Sequence, residues 1–276
     1  MTDEKFLDKK MDRREFLKKA GIGGAGLALG LSGASAFFNN QDSSSKKAYD
    51  GDEDISFYGK HQAGITTPMQ KACYLVVLDL HTTDKKEVIQ LFKDWTDYSS
   101  KLVEGELVKK DGSNDLLPPT DTGETVGLNP YRLSLTFGVS ADFLKKLGLE
   151  SKRPKLFRDL PPFPKEQLQD KYTGGDIVIQ ACADDEQVAF HAVRNLIRKG
   201  RNKITMKWSK SGFAAIGDRK ETPRNLFGFK DGTANVTTEK EFDKVVWTDS
   251  KDWMKGGSYM ALRPVSYTHL RAHETL

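Results

Sequence analysis

Residues 74–80, YLVVLDL, form a nearly continuous apolar run of strand length. A strand with apolar side chains on both faces needs cover on both, so the run predicts a buried central strand. The segments after it alternate in kind. Asp84 precedes a stretch in which Val88, Ile89, Leu91, Phe92 and Trp95 recur at helical spacing, which predicts a capped amphipathic helix. Residues 131–139 alternate as a second strand. Ser140 is placed to cap a short helix over 141–147 that stops at Gly148. Residues 176–182 predict a third strand. Asp184 then caps a helix running to Lys199 and ending at Gly200, with Val188, Ala192, Val193, Leu196 and Ile197 on its apolar stripe. Residues 204–208 and 213–216 supply further strand material. This order predicts an α+β fold, a ferredoxin-like βαββαβ unit with an antiparallel sheet and helices on one face. Two long proline-rich loops, 105–130 and 151–175, interrupt it. Loops of that size in a compact domain are functional covers or insertions.

The charge is spread too thinly to suggest a nucleic-acid partner. The 276 residues carry a net +4, of which residues 1–36 contribute +2, and the body is left near neutral. Cys73 and Cys182 are the two cysteines. With the first and third strands taken as neighbours running parallel, these thiols lie at opposite ends of the pair. Seven residues at roughly 3.3 Å each separate them by about 23 Å, beyond the reach of a disulfide. Two free, buried thiols are expected.

The chain opens on an address. Arg13-Arg14 stands before Phe16, Leu17 and Lys18, an uncharged run follows over 20–38, and Ala34-Ser35-Ala36 is a small-residue cleavage site. This resembles a twin-arginine signal peptide, with Asp12 where that class usually has Ser or Thr. The resemblance implies export of a folded, cofactor-loaded protein through the twin-arginine translocase to a periplasmic or extracytoplasmic location. Gly21 to Gly26 spells G-x-G-x-x-G, but no strand precedes it, so a dinucleotide site is not expected. Residues 37–56 are polar and read as a linker. Residues 265–275, VSYTHLRAHET, read as one translated frame of a sequencing-adapter junction. Residues 264–276 are therefore expected to be foreign to the native protein, and His269 and His273, four apart, are not taken as a metal pair.

Residues 225–236 read NLFGFKDGTANV, in which Gly228-Phe229-Lys230-Asp231-Gly232 is G-x-x-D-G. A carboxylate between glycines sits on backbone that can adopt positive φ and approach a flat ligand closely. The same dipeptide, Asp-Gly, also marks an ordinary tight turn. The surrounding segments decide between these readings. With HQAGITTP over 61–68, GGDI over 174–177, QACAD over 180–184 and HAVR over 191–194, the segment resembles the dye-decolorising peroxidase family. Within it, the nearest resemblance is to the exported deferrochelatase/peroxidases of bacterial ferrous-iron uptake operons. The resemblance covers about residues 57–263.

The resemblance implies a duplicated fold of the dimeric α+β barrel kind. The first ferredoxin-like half would span 57–217, the haem-binding second half would open over 218–263, and most of that second half would be missing. It implies haem b as cofactor, hydrogen peroxide as oxidant, and aromatic or porphyrin substrates, with release of iron from haem for a ferrous-iron permease. Asp231 would be the catalytic acid–base residue. Gly232, Thr233, Ala234 and Asn235 would lie beside the haem, with Asn235 supporting Asp231. The proximal histidine and distal arginine of the family lie downstream of G-x-x-D-G and are not assigned. His61, His81 and His191 are expected to be structural or solvated, and Arg263 is not taken as the distal arginine. Trp95, Trp208, Trp253 and Tyr259 are weak candidates for electron transfer to a buried haem. A haem- or iron-binding module without turnover is the alternative, and a homo-oligomer is left open.

Overall fold

The computed structural model describes residues 55–109, 118–214 and 222–263. Four strands, β1 (Ala72–Leu80), β2 (Ser134–Val139), β3 (Ile177–Ala183) and β4 (Ile204–Phe213), form one sheet in the order β2-β3-β1-β4. Helices α1 (Lys85–Val103), α2 (Ala141–Lys146) and α3 (Glu186–Gly200) connect them, and α4 (Glu239–Val245) follows. Every neighbouring pair is antiparallel. This is the ferredoxin-like arrangement the alternation of patterns predicts.

β1 is buried along both faces. Val76, Leu78 and Leu80 point to one side and Leu75 and Val77 to the other, all of them buried. On the first side, α1 and α3 close the core. Val88, Leu91, Trp95, Ser99 and Leu102 repeat every three or four residues on α1, and Val188, Ala192, Leu196 and their neighbours do so on α3. Trp95 joins the helices, because its indole N–H donates to the Leu196 carbonyl at 2.8 Å. Gly200 lets α3 end tightly against β4. A Cβ there would stand 2.8 Å from Ile204.

Caps follow the sequence with one exception. Asp84 accepts from the Lys86 N–H and Ser140 from the Phe143 N–H. The cap of α3 is Asp185, which accepts from the Gln187 and Val188 N–H groups. Asp184 is drawn away instead to the nearly buried Arg132 guanidinium, 3.0 Å from its carboxylate, and also accepts from the Lys71 N–H. β2 begins three residues later than the alternation suggests, because Tyr131 and Arg132 both take positive φ. Ile89 lies on the solvent side of α1, 54% exposed, rather than on its apolar stripe. The strand expected over 204–208 runs on to Phe213; of the second piece, expected over 213–216, residues 215–216 lie outside the described residues. β4 carries an irregularity opposite Val77 and Leu78, where Trp208 pairs with Val77 and Met206 with Leu78. Lys207 is the extra residue, and it turns Trp208 to the face away from the helices.

Both cysteines are free, as expected, but the separation expected of them fails on topology. The first and third strands are antiparallel, so their register brings Cys73 directly opposite Cys182. Both thiols are half-buried rather than buried.

Asp176, buried at the start of β3, accepts from the Leu80 N–H and from the Lys146 ammonium, while its own N–H donates to the Leu78 carbonyl. These bonds tie the end of β1, α2 and β3 together.

Truncation of the indole that links α1 to α3 should cost about 3–5 kcal/mol. Urea unfolding of Trp95→Ala followed by far-UV circular dichroism should show it, and a loss below about 1 kcal/mol would place the core elsewhere.

Candidate functional site

The G-x-x-D-G segment folds as a small hairpin. Arg224 bridges Lys230 in antiparallel sense, the Asn225 N–H donates to the Phe229 carbonyl, and the Asp231 N–H donates to the Pro223 carbonyl. The Asn225 side chain closes the tip by accepting from the Phe227 and Phe229 N–H groups. Gly228 (φ 81°) and Gly232 (φ 94°) bracket the carboxylate in the left-handed region that favours glycine. A Cβ on Gly232 would meet the Asn235 amide nitrogen at 2.8 Å, and the Asn235 N–H donates back to the Gly232 carbonyl. Asn235 therefore shapes the turn that follows Asp231.

Asp231, Thr233, Ala234 and Asn235 are exposed and Gly232 is half-buried. Leu226 and Phe229 stand exposed beside them, at 74% and 59%. The hairpin thus offers a carboxylate set among apolar side chains on an open surface, a combination suited to one face of a large apolar ring.

A cavity of about 900 Å³ wraps around the β2 edge, lined on the helix side by Phe92, Trp95 and Phe137 and reaching the sheet face away from the helices. Thr136, Gly138, Val178 and Gln180 form part of its sheet wall, and the segments around 57–65 and 253–260 cover it. The HQAGITTP motif makes this cover. Gln62 donates its side-chain amide to the Phe137 carbonyl (3.0 Å) and accepts from the Phe137 N–H (2.9 Å). Gly64 (φ 90°) lies so close to the sheet that a Cβ would meet the Thr136 hydroxyl at 2.2 Å, and its carbonyl accepts from Gln180. His61 stacks on Trp247 with ring centres 3.8 Å apart and bonds the Gly256 carbonyl through Nδ1. It ties the second segment to the first. Trp253 donates to the Lys152 carbonyl at 2.7 Å, and Tyr259 packs on Phe157.

Of the aromatic candidates, Trp95, Trp253 and Tyr259 reach this cavity; Trp208 and Asp231 do not line it. Arg263 pairs with Glu166 at 2.6 Å. Arg13 and Arg14 lie outside the described residues, as do residues 264–276.

Each of the three histidines has an internal partner, although His81 is exposed and His61 Nε2 is buried without one. His81 bonds Thr205. His191 is buried and anchors the long loop before β2. Its Nε2 donates to Asp121 at 2.8 Å, and Nδ1 stands 3.0 Å from the Thr125 hydroxyl. Asp121 also accepts from the Val108 and Gly123 N–H groups, and Asn195 bonds Thr122. This acid–imidazole–hydroxyl chain has the connectivity of a nucleophile relay. It is packed between loop and helix instead, and neither the cavity over the sheet nor the open cleft at Asp176 reaches it. Sequence reasoning did not find Asp121, because its imidazole partner lies 70 residues away. Among the described residues, no group of three or more His, Cys, Asp or Glu side chains is arranged to hold a metal ion.

Burial pushes the Asp121 carboxyl up, but the bonds from His191 and the two N–H groups outweigh it and hold the group below its ordinary value of 3.8.

Comparison with known proteins adds an independent line. The sequence matches the family models described as "Dyp-type peroxidase, N-terminal" over residues 62–214 and "Dyp-type peroxidase, C-terminal" over residues 222–275. It is 34% identical over 267 residues to a deferrochelatase of Escherichia coli O157:H7, covering 92% of this chain and 62% of the relative. An oxyferrous complex of DtpA from Streptomyces lividans superposes with a TM-score of 0.67 at 34% identity, over 75% of this chain and 55% of that one. A DyP-type peroxidase from Streptomyces coelicolor gives 0.66 at 35% identity over the same shares. The chain thus spans about three fifths of the length of that curated relative.

A carboxylate whose native pKa is depressed stabilises the fold above its unfolded value and loses that contribution as pH falls through its native one. The urea midpoint of the unmodified chain should therefore fall more steeply below about pH 4 than that of Asp121→Asn. Parallel pH profiles would show that the His191–Asp121 contact does not form.

Proposed function

Because the chain belongs to the Dyp-type peroxidase family, we propose that it serves in an exported haem peroxidase that reduces hydrogen peroxide at the expense of aromatic or porphyrin substrates. The observation that carries the proposal is the carboxylate of Asp231, held between two positive-φ glycines on a hairpin with exposed apolar neighbours, inside a segment that matches the family's C-terminal model.

Members of this family are haem-binding enzymes, and haem b is the group proposed here. The residues present fit one face of it. Leu226 and Phe229 offer apolar contact, and the backbone of Gly232, Thr233 and Ala234 can lie close to a flat ring because Gly232 has no side chain. His81 and His191 are taken up by side-chain partners, and His61 is stacked on Trp247 and bonded through Nδ1, with its Nε2 buried and unpartnered. Haem, when bound, supplies the redox chemistry on peroxide. Asp231 holds a proton at its carboxylate and passes it between the two peroxide oxygens, which is general acid–base work. Asn235 fixes the turn after Asp231 and so its reach.

The finer reading rests on likeness to the deferrochelatases. The protein leaves the cytoplasm through the twin-arginine translocase, directed by Arg13 and Arg14, and removes iron from haem for a ferrous-iron permease.

In the full-length protein, Asp231→Asn should leave the haem absorption band intact and lower peroxidase turnover at least about 100-fold. Unchanged turnover would remove Asp231 from the mechanism. Replacement of Arg13 and Arg14 together by lysine should leave the protein in the cytoplasmic fraction, and continued export would sink the twin-arginine reading.

A further inference from the structure

Cys73 on β1 and Cys182 on β3 face each other across the two central strands of the sheet. The pattern of backbone hydrogen bonds defines their geometry further. The Ala214 N–H donates to the Lys71 carbonyl, so Lys71 and Ala214 bond in register with the β1–β4 ladder. In an antiparallel ladder bonded pairs recur every second residue, so the peptide groups of Cys73 also turn towards β4. The Ser140 N–H donates to the Asp176 carbonyl, and the same alternation along β3 turns the peptide groups of Cys182 towards β2. Neither cysteine spends its backbone bonds on the other's strand. They are a non-hydrogen-bonded pair, whose Cα atoms approach to about 4.5 Å. That lies within the range a disulfide spans without backbone movement.

Interaction between the two thiol groups holds the Cys73 thiol below its ordinary value against the opposing effect of burial. The same interaction, with burial, pushes Cys182 up. On β4 Cys73 has Gly212 for a neighbour, whereas on β2 Cys182 has Ser134, so a small oxidant meets the Cys73 sulfur first. Access is open on one side. Gly212 of β4 stands opposite Cys73, and the space its side chain would fill has no atom within 4 Å.

We propose that Cys73 and Cys182 are a two-electron redox pair that a small peroxide closes to a cross-strand disulfide. The Cys73 thiolate attacks a peroxide oxygen. The S–O bond forms, the O–O bond breaks, and the departing oxygen leaves as water with the thiol's proton. Cys182 then attacks the Cys73 sulfur. The S–S bond forms, the S–O bond breaks, and a second water leaves with the proton of Cys182. Two thiols are oxidised, and one peroxide is reduced to two waters. The step needs no haem and does not rest on the peroxidase reading. The link would close a loop of about 110 residues across the middle of the sheet.

The reduced chain should be treated with hydrogen peroxide, denatured, alkylated with N-ethylmaleimide and weighed. The expected result is a chain lighter by two hydrogens with no maleimide adduct, and a linked peptide joining Cys73 to Cys182. Dithiothreitol should restore both adducts, and the oxidised form should melt at least about 5 °C higher. In Cys182→Ser, peroxide should leave a sulfenic acid on Cys73 that dimedone traps. Two adducts per chain after peroxide, a link found only between copies, or oxidation past the sulfenic stage without a link would each overturn the proposal.

Discussion

β1 is apolar on both faces, and the rest of the molecule is arranged to cover it. A sheet that presents Val76, Leu78 and Leu80 to one side and Leu75 and Val77 to the other cannot leave either face to water, at about 25 cal/mol for each Å² of apolar surface. Helices α1 and α3 close one side in the usual way, with the Trp95–Leu196 hydrogen bond fixing how the two meet. The other side carries Thr136, Gly138, Val178 and Gln180 beside those apolar residues. Towards the β2 edge its cover is irregular chain, the segments around 57–65 and 253–260. Irregular cover has to satisfy its own backbone, which is why glutamine, threonine and histidine side chains dominate the contacts made by residues 61–67.

What the sequence revealed and what it hid follow from the range of the interactions involved. The apolar run of β1, the stripe of α1 and the caps Asp84 and Ser140 are local signals, and they were legible. Asp184 and Asp185 are both good caps by type. The choice between them depends on Arg132, 52 residues away, whose nearly buried guanidinium bonds the Asp184 carboxylate. The start of β2 was hidden for a related reason, since nothing local announces positive φ at Tyr131 and Arg132. The direction of β3 relative to β1 is a matter of topology. The second and third strands are antiparallel neighbours, and with the third reversed the two cysteines pass from opposite ends of the sheet to the same rung.

The candidate site was legible in a different sense. G-x-x-D-G announces a turn, and a turn is what forms, with glycines at φ 81° and 94°. Its chemical meaning comes from the surroundings. Leu226 and Phe229 are exposed on the same hairpin as Asp231, and exposed apolar side chains beside a carboxylate suit a ring-shaped ligand or further protein packing. The buried Asp121–His191 pair shows the opposite case. There a carboxylate and an imidazole have every partner they need, and the result is a fixed loop rather than a reactive group.

Gln62 has a consequence for behaviour in solution. β2 is an outer strand, and an outer strand offers unpaired N–H and C=O groups on which a strand of another molecule can add. The side-chain amide of Gln62 occupies both groups of Phe137, the middle of the three outward-facing residues of β2, in the manner of a single residue of an added strand. It leaves no uninterrupted stretch of edge for an intruder to zip along. One glutamine therefore acts as a stopper against edge-to-edge aggregation, at a place where charge or proline would have disturbed the cavity wall beside it.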